Sequence, residues 1–331
     1  MTTPQLNRSK NRAIVQIESK GWGLVLFSTN DIARLLQDRW GIRGKVDSVV
    51  PGTSKVFRVE TSKQLYYARL SSSRRGFSAD QVVEFINFLG NWGAAVPVII
   101  PTQDGQLAEP IGNRCLSVER ALPGTMCDST CLSILPEAGK QLARLHDISV
   151  HFPGRLREKR PVRDFVGPRL RSVLWSRIPN EAKEAITSLT DSLPSGLLDV
   201  PVAWVLTHYD LRSANAIRDG ENVAYTDIGA VFQPRLCDLV MVQDRWLLHD
   251  PAGDARPLTI EETRQFWEGY IALNTLSEEE KIVVGIIWAS YSADRLSHWL
   301  CTGQKLNVWE FRERLATVPE LLRFPEEILN A

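Results

Sequence analysis

The chain has 331 residues, more than one ordinary hydrophobic core holds, so its length favours two lobes with a cleft between them. Lysine plus arginine equals aspartate plus glutamate, 39 against 39, so no overall charge attracts nucleic acid or an anionic membrane. The five cysteines lack close CxxC pairs, and the amino terminus lacks a signal-peptide core, so we expect a cytoplasmic protein without a disulfide framework or zinc site.

The first third of the chain predicts a small antiparallel sheet with helices. "TNDIARLLQDRW" has helical apolar spacing after cap-type residues, whereas "GKVDSVV", "KVFRVE" and "QLYYARL" are short, β-rich and divided by turn signals. "SADQVVEFINFLGNWG" predicts a helix that begins at a capping serine and ends at glycine. "VPVIIPT" and "CLSVERAL" predict two more strands, which makes a five-stranded sheet.

Beyond "LPGT", at residues 122–125, helical spacing dominates. "ILPEAGKQLARLHDIS" predicts an amphipathic helix, and the chain from about residue 260 to 329 is helical and rich in tryptophans that we expect to be mostly core. "PVAWVLTHYDL", "NAIRDGENVAYTDI" and "CDLVMVQDRWLL" interrupt these helices with a few short strands. We therefore predict an α+β protein with an amino-terminal lobe at 1–122 and a mostly helical lobe at 123–331.

Polar residues are dense in "THYDLRSANA", residues 207–216. Asp210 and Asn215 lie in this stretch, and Asp227 follows in "YTDIG" at the far end of a hairpin predicted through "RDGEN". That hairpin would return Asp227 to the loop. Each residue alone is more often a turn or cap residue, but together they offer the few oxygen ligands that magnesium takes beside phosphate oxygens.

The spacing of these motifs resembles a known family. "HYDLRSAN" matches the pattern H-x-D-x-x-x-x-N, "TDIG" matches a second metal motif, and "EFINFLGNWGAAVPVIIPTQDG" and "AGKQLARLHDIS" match flanking runs in the same order. In these features the chain resembles the aminoglycoside phosphotransferase and choline kinase superfamily. The resemblance implies a bilobal protein-kinase-like fold in which residues 1–122 bind ATP with Mg²⁺.

The resemblance also implies roles for individual residues. Asp210 would orient or deprotonate the acceptor hydroxyl, and Asn215 and Asp227 would bind magnesium. Glu84 would pair with a phosphate-binding cation on the third strand, which is Arg69 here rather than the lysine common in kinases. Arginine keeps its charge and can contact two phosphate oxygens, so the electrostatic role survives the change.

Nucleotide contacts are expected at two further places. Gly52, Thr53 and Ser54 in "VVPGTSKVF" occupy the position of the phosphate-covering loop, with one glycine instead of several. Residues Glu119 to Leu122, which include Ala121, would form the hinge beside the adenine.

Other polar residues near the motif have competing interpretations. His208 is expected to hold the loop by a hydrogen bond, and Asp238 to brace it. Arg212 would contact phosphate or substrate, or else pack the loop. Asp244 and Arg295 are candidates for an amine and a carboxylate of the substrate, with a salt bridge between helices as the alternative.

The expected activity is ATP- and magnesium-dependent phosphorylation of a hydroxyl on a small polar molecule that bears an amine, such as an amino acid, amino alcohol or aminoglycoside-like compound. "CDLVMVQDRW" and "ADRLSHWL" resemble the homoserine kinase-like branch. One alternative is a degenerate nucleotide-binding pseudokinase or scaffold of the same fold. A protein kinase is disfavoured because "HRD", "DFG" and "APE" are absent in their usual context. We expect a monomer or homodimer.

Overall fold

The first sheet of the molecule is formed by residues before 121. The structure is a computed structural model that describes residues 27–49, 55–73, 77–112, 114–153, 158–172, 196–248, 250 and 252–302, with the backbone alone at 55, 169–172, 289 and 292–302. The strands of this sheet are β1 (Lys45–Val49), β2 (Lys55–Glu60), β3 (Leu65–Ser72), β4 (Ile99–Ile100), β5 (Ala108–Ile111) and β6 (Arg114–Arg120). All pairings are antiparallel, in the order β1-β2-β3-β6-β4, with β5 also on β6.

The edge beside β6 is divided between two short strands. β4 pairs with Val118 and Glu119, whereas β5 pairs with residues 114–117, so the two follow one another along the same edge. The six strands therefore occupy five positions, and the predicted five-stranded antiparallel lobe is confirmed. β5 contains Pro110, a residue that an edge strand tolerates because it lacks an amide hydrogen.

The two faces of this sheet pack against different parts of the molecule. Side chains alternate along a strand, and Ala68 and Leu70 of β3 point into a core covered by α1, which runs from Thr29 to Leu35 and continues as a π-helical turn to Trp40. The opposite face carries Arg69. There α2 (Ala79–Asn91) packs its predicted apolar residues.

The remaining described chain is mostly helical, as predicted. Its helices are α3 (Leu135–Ser149), α4 (Arg163–Ser172), α5 (Leu236–Arg245), α6 (Ile260–Ile271) and α7 (Glu278–Thr302). "CDLVMVQDRWLL" thus forms a helix rather than a strand, because burial on most sides hides its period. Trp267 and Trp288 are buried in this core, as expected. No helix among the described residues is long and apolar enough to cross a membrane.

Two small sheets complete the helical part. One has the order β11-β10-β7, from β7 (Thr125–Met126), β10 (Ala216–Asp219) and β11 (Asn222–Tyr225). The other has the order β12-β9-β8, from β8 (Glu158–Pro161), β9 (Pro201–Thr207) and β12 (Val231–Pro234). The proposed boundary at 122 falls between β6 of the first sheet and β7, and it stays a prediction.

Candidate active site

The loop after β9 is shaped by one buried carboxylate. The backbone N–H groups of His208 and Tyr209 donate to the two oxygens of Asp238, at 2.6 and 2.9 Å. Asp238 is fully buried in the first turn of α5, and its Oδ2 also contacts Nε2 of His146 at 3.0 Å. Tyr209 has a φ of 68°, a conformation that a non-glycine residue adopts at some cost. Asp238 thus braces the loop, as the sequence indicates.

A second segment, residues 226–230, returns to this loop. The hairpin β10–β11 is formed as predicted and ends directly before Thr226. The Thr226 N–H donates to the Asn215 carbonyl, and the Gly229 N–H donates to the His208 carbonyl, each at 2.8 Å. Asp227 has a φ of 52° within this segment. The structure therefore brings together the two motifs that carry Asp210, Asn215 and Asp227.

The Asp210 carboxylate is surrounded by donors. Nη2 of Arg245 donates to its Oδ1 at 2.5 Å, and Nη2 of Arg212 donates to its Oδ2 at 2.6 Å. Nδ2 of Asn215 contacts Oδ2 at 3.2 Å and the Asp210 carbonyl at 2.7 Å. Burial by itself would raise the pKa of Asp210, but the guanidinium groups of Arg245 and Arg212 outweigh burial and hold that pKa below its ordinary value.

Arg69 reaches this site from β3 of the first sheet. Its Nη1 donates to Oδ1 of Asp227 at 3.0 Å, and its Nε donates to Oε1 of Glu119 at 3.3 Å. Its side chain is largely buried. Burial opposes the charged form, yet the carboxylates of Glu119 and Asp227 hold the pKa of Arg69 above its ordinary value. Arg69 is therefore a fixed cation beside one of the candidate metal ligands.

Glu84, the expected partner of Arg69, is not brought to it. α2 turns Val83, Phe85 and Ile86 inward, and Glu84 lies exposed on the outer side of the same helix. Glu119 contacts Arg69 instead, because it lies on β6 next to β3 and on the same face of the sheet. Glu119 is also expected at the hinge beside the adenine; its side chain is buried in this ion pair, and the hinge role stays a prediction.

The oxygens of Asn215 and Asp227 fit a magnesium ion with phosphate ligands. Because Nδ2 of Asn215 is engaged by Asp210, its Oδ1 is directed away from that residue. Among the described residues no group of three or more His, Cys, Asp or Glu residues could hold a metal ion. One carboxylate and one amide nevertheless suit Mg²⁺, which usually keeps water and substrate phosphate oxygens in its remaining positions.

His208 is buried, and its ring contacts the loop backbone and a neighbouring tyrosine. It is fully buried, its Nδ1 accepts from the Asp210 N–H at 3.3 Å, and its ring lies edge-on to Tyr225. Burial holds the pKa of His208 below its ordinary value, so the ring is neutral at neutral pH. This agrees with the expectation that His208 holds the loop.

The other predicted site residues are placed as follows. Gly52, Thr53 and Ser54 lie outside the described residues, and Arg295 lies in the part of α7 where only the backbone is described. Asp244 is half-buried near the end of α5. Ala121 follows β6 and donates its N–H to the Leu65 carbonyl at 3.0 Å. Their contacts with a nucleotide or substrate stay predictions.

Arg245 is the main site residue that the sequence analysis missed. It follows Asp244 in the quoted run "CDLVMVQDRW", and it contacts Asp210 from α5. One signal could have found it. Arg245 lies seven positions after Asp238, which is two helical turns, so both side chains are on the same face of α5.

Comparisons with known proteins show which fold and family the chain has. The chain resembles spectinomycin phosphotransferase APH(9)-Ia in complex with ADP and spectinomycin, at 15% identity and a TM-score of 0.58, over 92% of this chain and 99% of that one. It resembles amicoumacin kinase hAmiN in complex with AMP-PNP, Ca²⁺ and Ami, at 15% identity and a TM-score of 0.61, over 91% and 93%.

A microcompartment-associated aminopropanol kinase is similar at 15% identity and a TM-score of 0.58, over 90% of this chain and 97% of that one. No curated protein matches the chain significantly. At these identities the solved structures establish the fold, which is the predicted protein-kinase-like one. The family profile described as the phosphotransferase enzyme family, APH, matches residues 49–270, more than half of the 331 residues. The chain therefore belongs to the phosphotransferase enzyme family.

Proposed function

We propose that this protein transfers the γ-phosphate of ATP to a hydroxyl group of a small polar molecule, with Mg²⁺ as the required cation. The observation that carries this proposal is the junction of the two polar segments. Asp210 and Asn215 lie in one segment, Asp227 lies in the other, and backbone hydrogen bonds join the two. Arg69 adds a cation from the opposite side of the cleft.

Each residue has a defined task in this proposal. Asn215 and Asp227 would hold the magnesium ion, which supplies charge neutralisation for the phosphate oxygens. Arg69 provides a permanent positive charge for the phosphates. Asp210 orients the acceptor hydroxyl and takes its proton late in an in-line transfer, since phosphoryl transfer depends mainly on positioning and electrostatics. The Asp238 carboxylate holds the loop that presents Asp210.

The solved relatives support the choice of nucleotide and acceptor class. Those relatives include complexes with ADP, with AMP-PNP and with Ca²⁺, and they include kinases named for amicoumacin and aminopropanol. The acceptor in our proposal is accordingly a small amine-bearing molecule of the amino-acid, amino-alcohol or aminoglycoside-like class. A degenerate pseudokinase with this fold is distinguished by turnover, because it would bind nucleotide without forming ADP.

The direct test is the substitution Asp210→Asn, which retains the shape of the side chain and removes its charge. We expect kcat to fall by about 100- to 10,000-fold, because a positioned acid–base group contributes a factor of this size. The assay is ADP formation with Mg-ATP and a panel of amino acids, amino alcohols, guanidino compounds and aminoglycosides.

The control is nucleotide binding, measured as the shift in Tm caused by Mg-ATP. That shift should be retained in Asp210→Asn, because Asp210 is not one of the proposed metal ligands. Undiminished ADP formation by the variant would show that Asp210 does not perform this role. A wild-type protein that binds Mg-ATP but phosphorylates no member of the panel, and no added protein, would favour the pseudokinase.

A further inference from the structure

The two oxygens of Asp210 face different surroundings. Oδ2 lies on the side of the proposed metal ligands, where it accepts from Arg212 and Asn215. Oδ1 lies on the side of α5, where Arg245 donates to it. The proposed function puts the phosphates and metal on the Asn215 side of Asp210, and it accordingly puts the acceptor hydroxyl on the Arg245 side.

Arg245 is held in place at that side by its other contacts. Its Nη1 donates to the Tyr209 carbonyl at 3.2 Å and lies 3.5 Å from the Tyr291 hydroxyl, and its side chain is 11% exposed. Each of the two guanidinium groups that bind Asp210 has a buried Nε without a hydrogen-bond partner in the described part of the chain. Buried donors are normally paired, so both arginines lack an acceptor atom.

In the described contacts at this point, guanidinium groups outnumber carboxylates. Two guanidinium groups share the one carboxylate of Asp210. Two nearby carboxylates bind other groups. Asp227 binds Arg69, and Asp238 binds His146 and the loop backbone. Asp244 precedes Arg245 on α5 and is half-buried. An ammonium group placed against Arg245 would be repelled, whereas an anionic group would be attracted.

A catalytic difficulty points the same way. Arg245 donates to the oxygen of Asp210 that would receive the acceptor hydroxyl, so the guanidinium takes one acceptor position of that oxygen and lowers its basicity. A carboxylate on the acceptor would draw the guanidinium towards itself, since an arginine fork matches a carboxylate in shape and charge. The same binding event would then make Oδ1 of Asp210 a better acceptor for the hydroxyl.

We propose that the acceptor bears a carboxylate, which binds Arg245 while its hydroxyl group contacts Asp210. Arg245 is then the residue that selects hydroxy acids and hydroxylated amino acids over aminoglycosides and simple amino alcohols. This inference rests on the proposed function and narrows its substrate class.

The test uses pairs of acceptors that differ only in this charge. L-Serine, L-threonine and 4-hydroxybutyrate are each compared with the corresponding carboxamide, and ethanolamine and an aminoglycoside serve as cationic acceptors. We expect kcat/KM for the acids to exceed that for the amides by about 10- to 100-fold, the ratio that a charge-assisted hydrogen bond provides. In Arg245→Gln this ratio should fall to near one, and in Arg245→Lys it should be partly retained.

Arg58→Gln is the matched control, because Arg58 lies exposed on β2 in an ion pair with Glu60, and it should leave the ratio unchanged. Folding of each variant is checked by its Tm with and without Mg-ADP. Calorimetric binding of the acids and amides in the presence of Mg-ADP gives the same comparison without turnover, so the inference is tested even if catalysis is not observed.

Several results would overturn the inference while the proposed function stands. One is a higher kcat/KM for amides or cationic acceptors than for acids. Another is an equal loss of kcat/KM for acids and amides in Arg245→Gln, which would make Arg245 a positioning residue for Asp210 only. Absence of turnover with all acceptors would contradict the proposed function. In that case, equal binding of acids and amides would contradict the inference as well.

Discussion

At Asp210, two guanidinium groups and one amide donate to the same carboxylate. These contacts keep the group ionised and make it a weak base. A weak base suits a reaction in which the proton leaves the hydroxyl late, because the transition state of phosphoryl transfer is loose. Asp210 then contributes mainly by orienting the nucleophile, and the donors around it determine how strongly its carboxylate can bind the acceptor hydroxyl.

The low pKa of Asp210 predicts how activity depends on pH. The acid limb of kcat/KM, which reports the free enzyme, should lie below the ordinary aspartate value of 3.8 if the fold survives there. Arg245→Gln removes the cation that lowers this pKa most, so it should move the limb to higher pH. Arg58→Gln should not move it. An unchanged limb in Arg245→Gln would show that this ion pair does not control the charge of Asp210.

The same shift has a consequence for stability, with a defined sign. A depressed folded-state pKa contributes stability that is present above the unfolded value of 3.8 and is lost as pH falls through the folded-state pKa. His208 affects stability in a different range of pH. Because burial lowers its pKa, protonation of the unfolded chain should reduce stability as pH falls below the ordinary value of 6.5. Urea unfolding as a function of pH measures both effects.

At the scale of elements, the crossing of α3 and α6 supports the catalytic loop. A Cβ added at Gly139 would lie 2.0 Å from the Phe266 carbonyl oxygen, and one at Gly269 would lie 1.9 Å from that of Pro136. The two helices therefore pack backbone against backbone. This contact places His146 of α3, which bonds to Tyr270 of α6 at 2.9 Å and to Asp238 of the brace.

Gly269→Ala should therefore destabilise the protein by about 1–3 kcal/mol, the usual cost of overpacking. It should also lower kcat, because separation of the helices disturbs His146 and through it the Asp238 brace. Gly90→Ala is the control: an added Cβ there meets only the Val96 side chain, at an ordinary 3.7 Å. Equal thermal stabilities of the two variants would contradict this account of the helix crossing.

At the scale of the whole molecule, Arg69 connects the first sheet to the segment that carries Asp227. The two residues are 158 positions apart, and the guanidinium lies between Asp227 and the buried Glu119. In the proposed function the phosphates of the nucleotide bind beside this ion pair. Its loss should affect both folding stability and phosphate binding, because a buried carboxylate would lose its cation.

Arg69→Met should cost about 3–5 kcal/mol of unfolding free energy, since Glu119 would be left buried and uncompensated. The double variant Arg69→Met with Glu119→Gln should recover part of that loss, because the buried charge is then gone. Urea denaturation of the single and double variants measures this coupling. Mg-ATP affinity should stay reduced in both, and normal affinity in either would exclude Arg69 from phosphate binding.

How much of the fold the sequence predicts depends on how distinct each periodic pattern is. The strands β1, β2 and β3 and the helices α2 and α3 were predicted, because turn residues bound them and their apolar residues recur with one period. β5 was missed, since four residues with a proline carry no pattern. The sequence groups α5 with strands, because all of its first seven residues are buried and no polar face reveals the helical repeat.

The sequence by itself determined the family and predicted the candidate catalytic loop, because Asp210 and Asn215 are close along the chain and Asp227 follows one hairpin later. Tertiary structure alone decided the ion pairs around them: Glu119 rather than Glu84 contacts Arg69, and Arg245, 35 residues after Asp210, binds its carboxylate. The physical reason is that such contacts depend on which face of a helix or sheet is turned to the cleft. That orientation is set by the packing of the whole core, and the spacing of a local motif does not contain it.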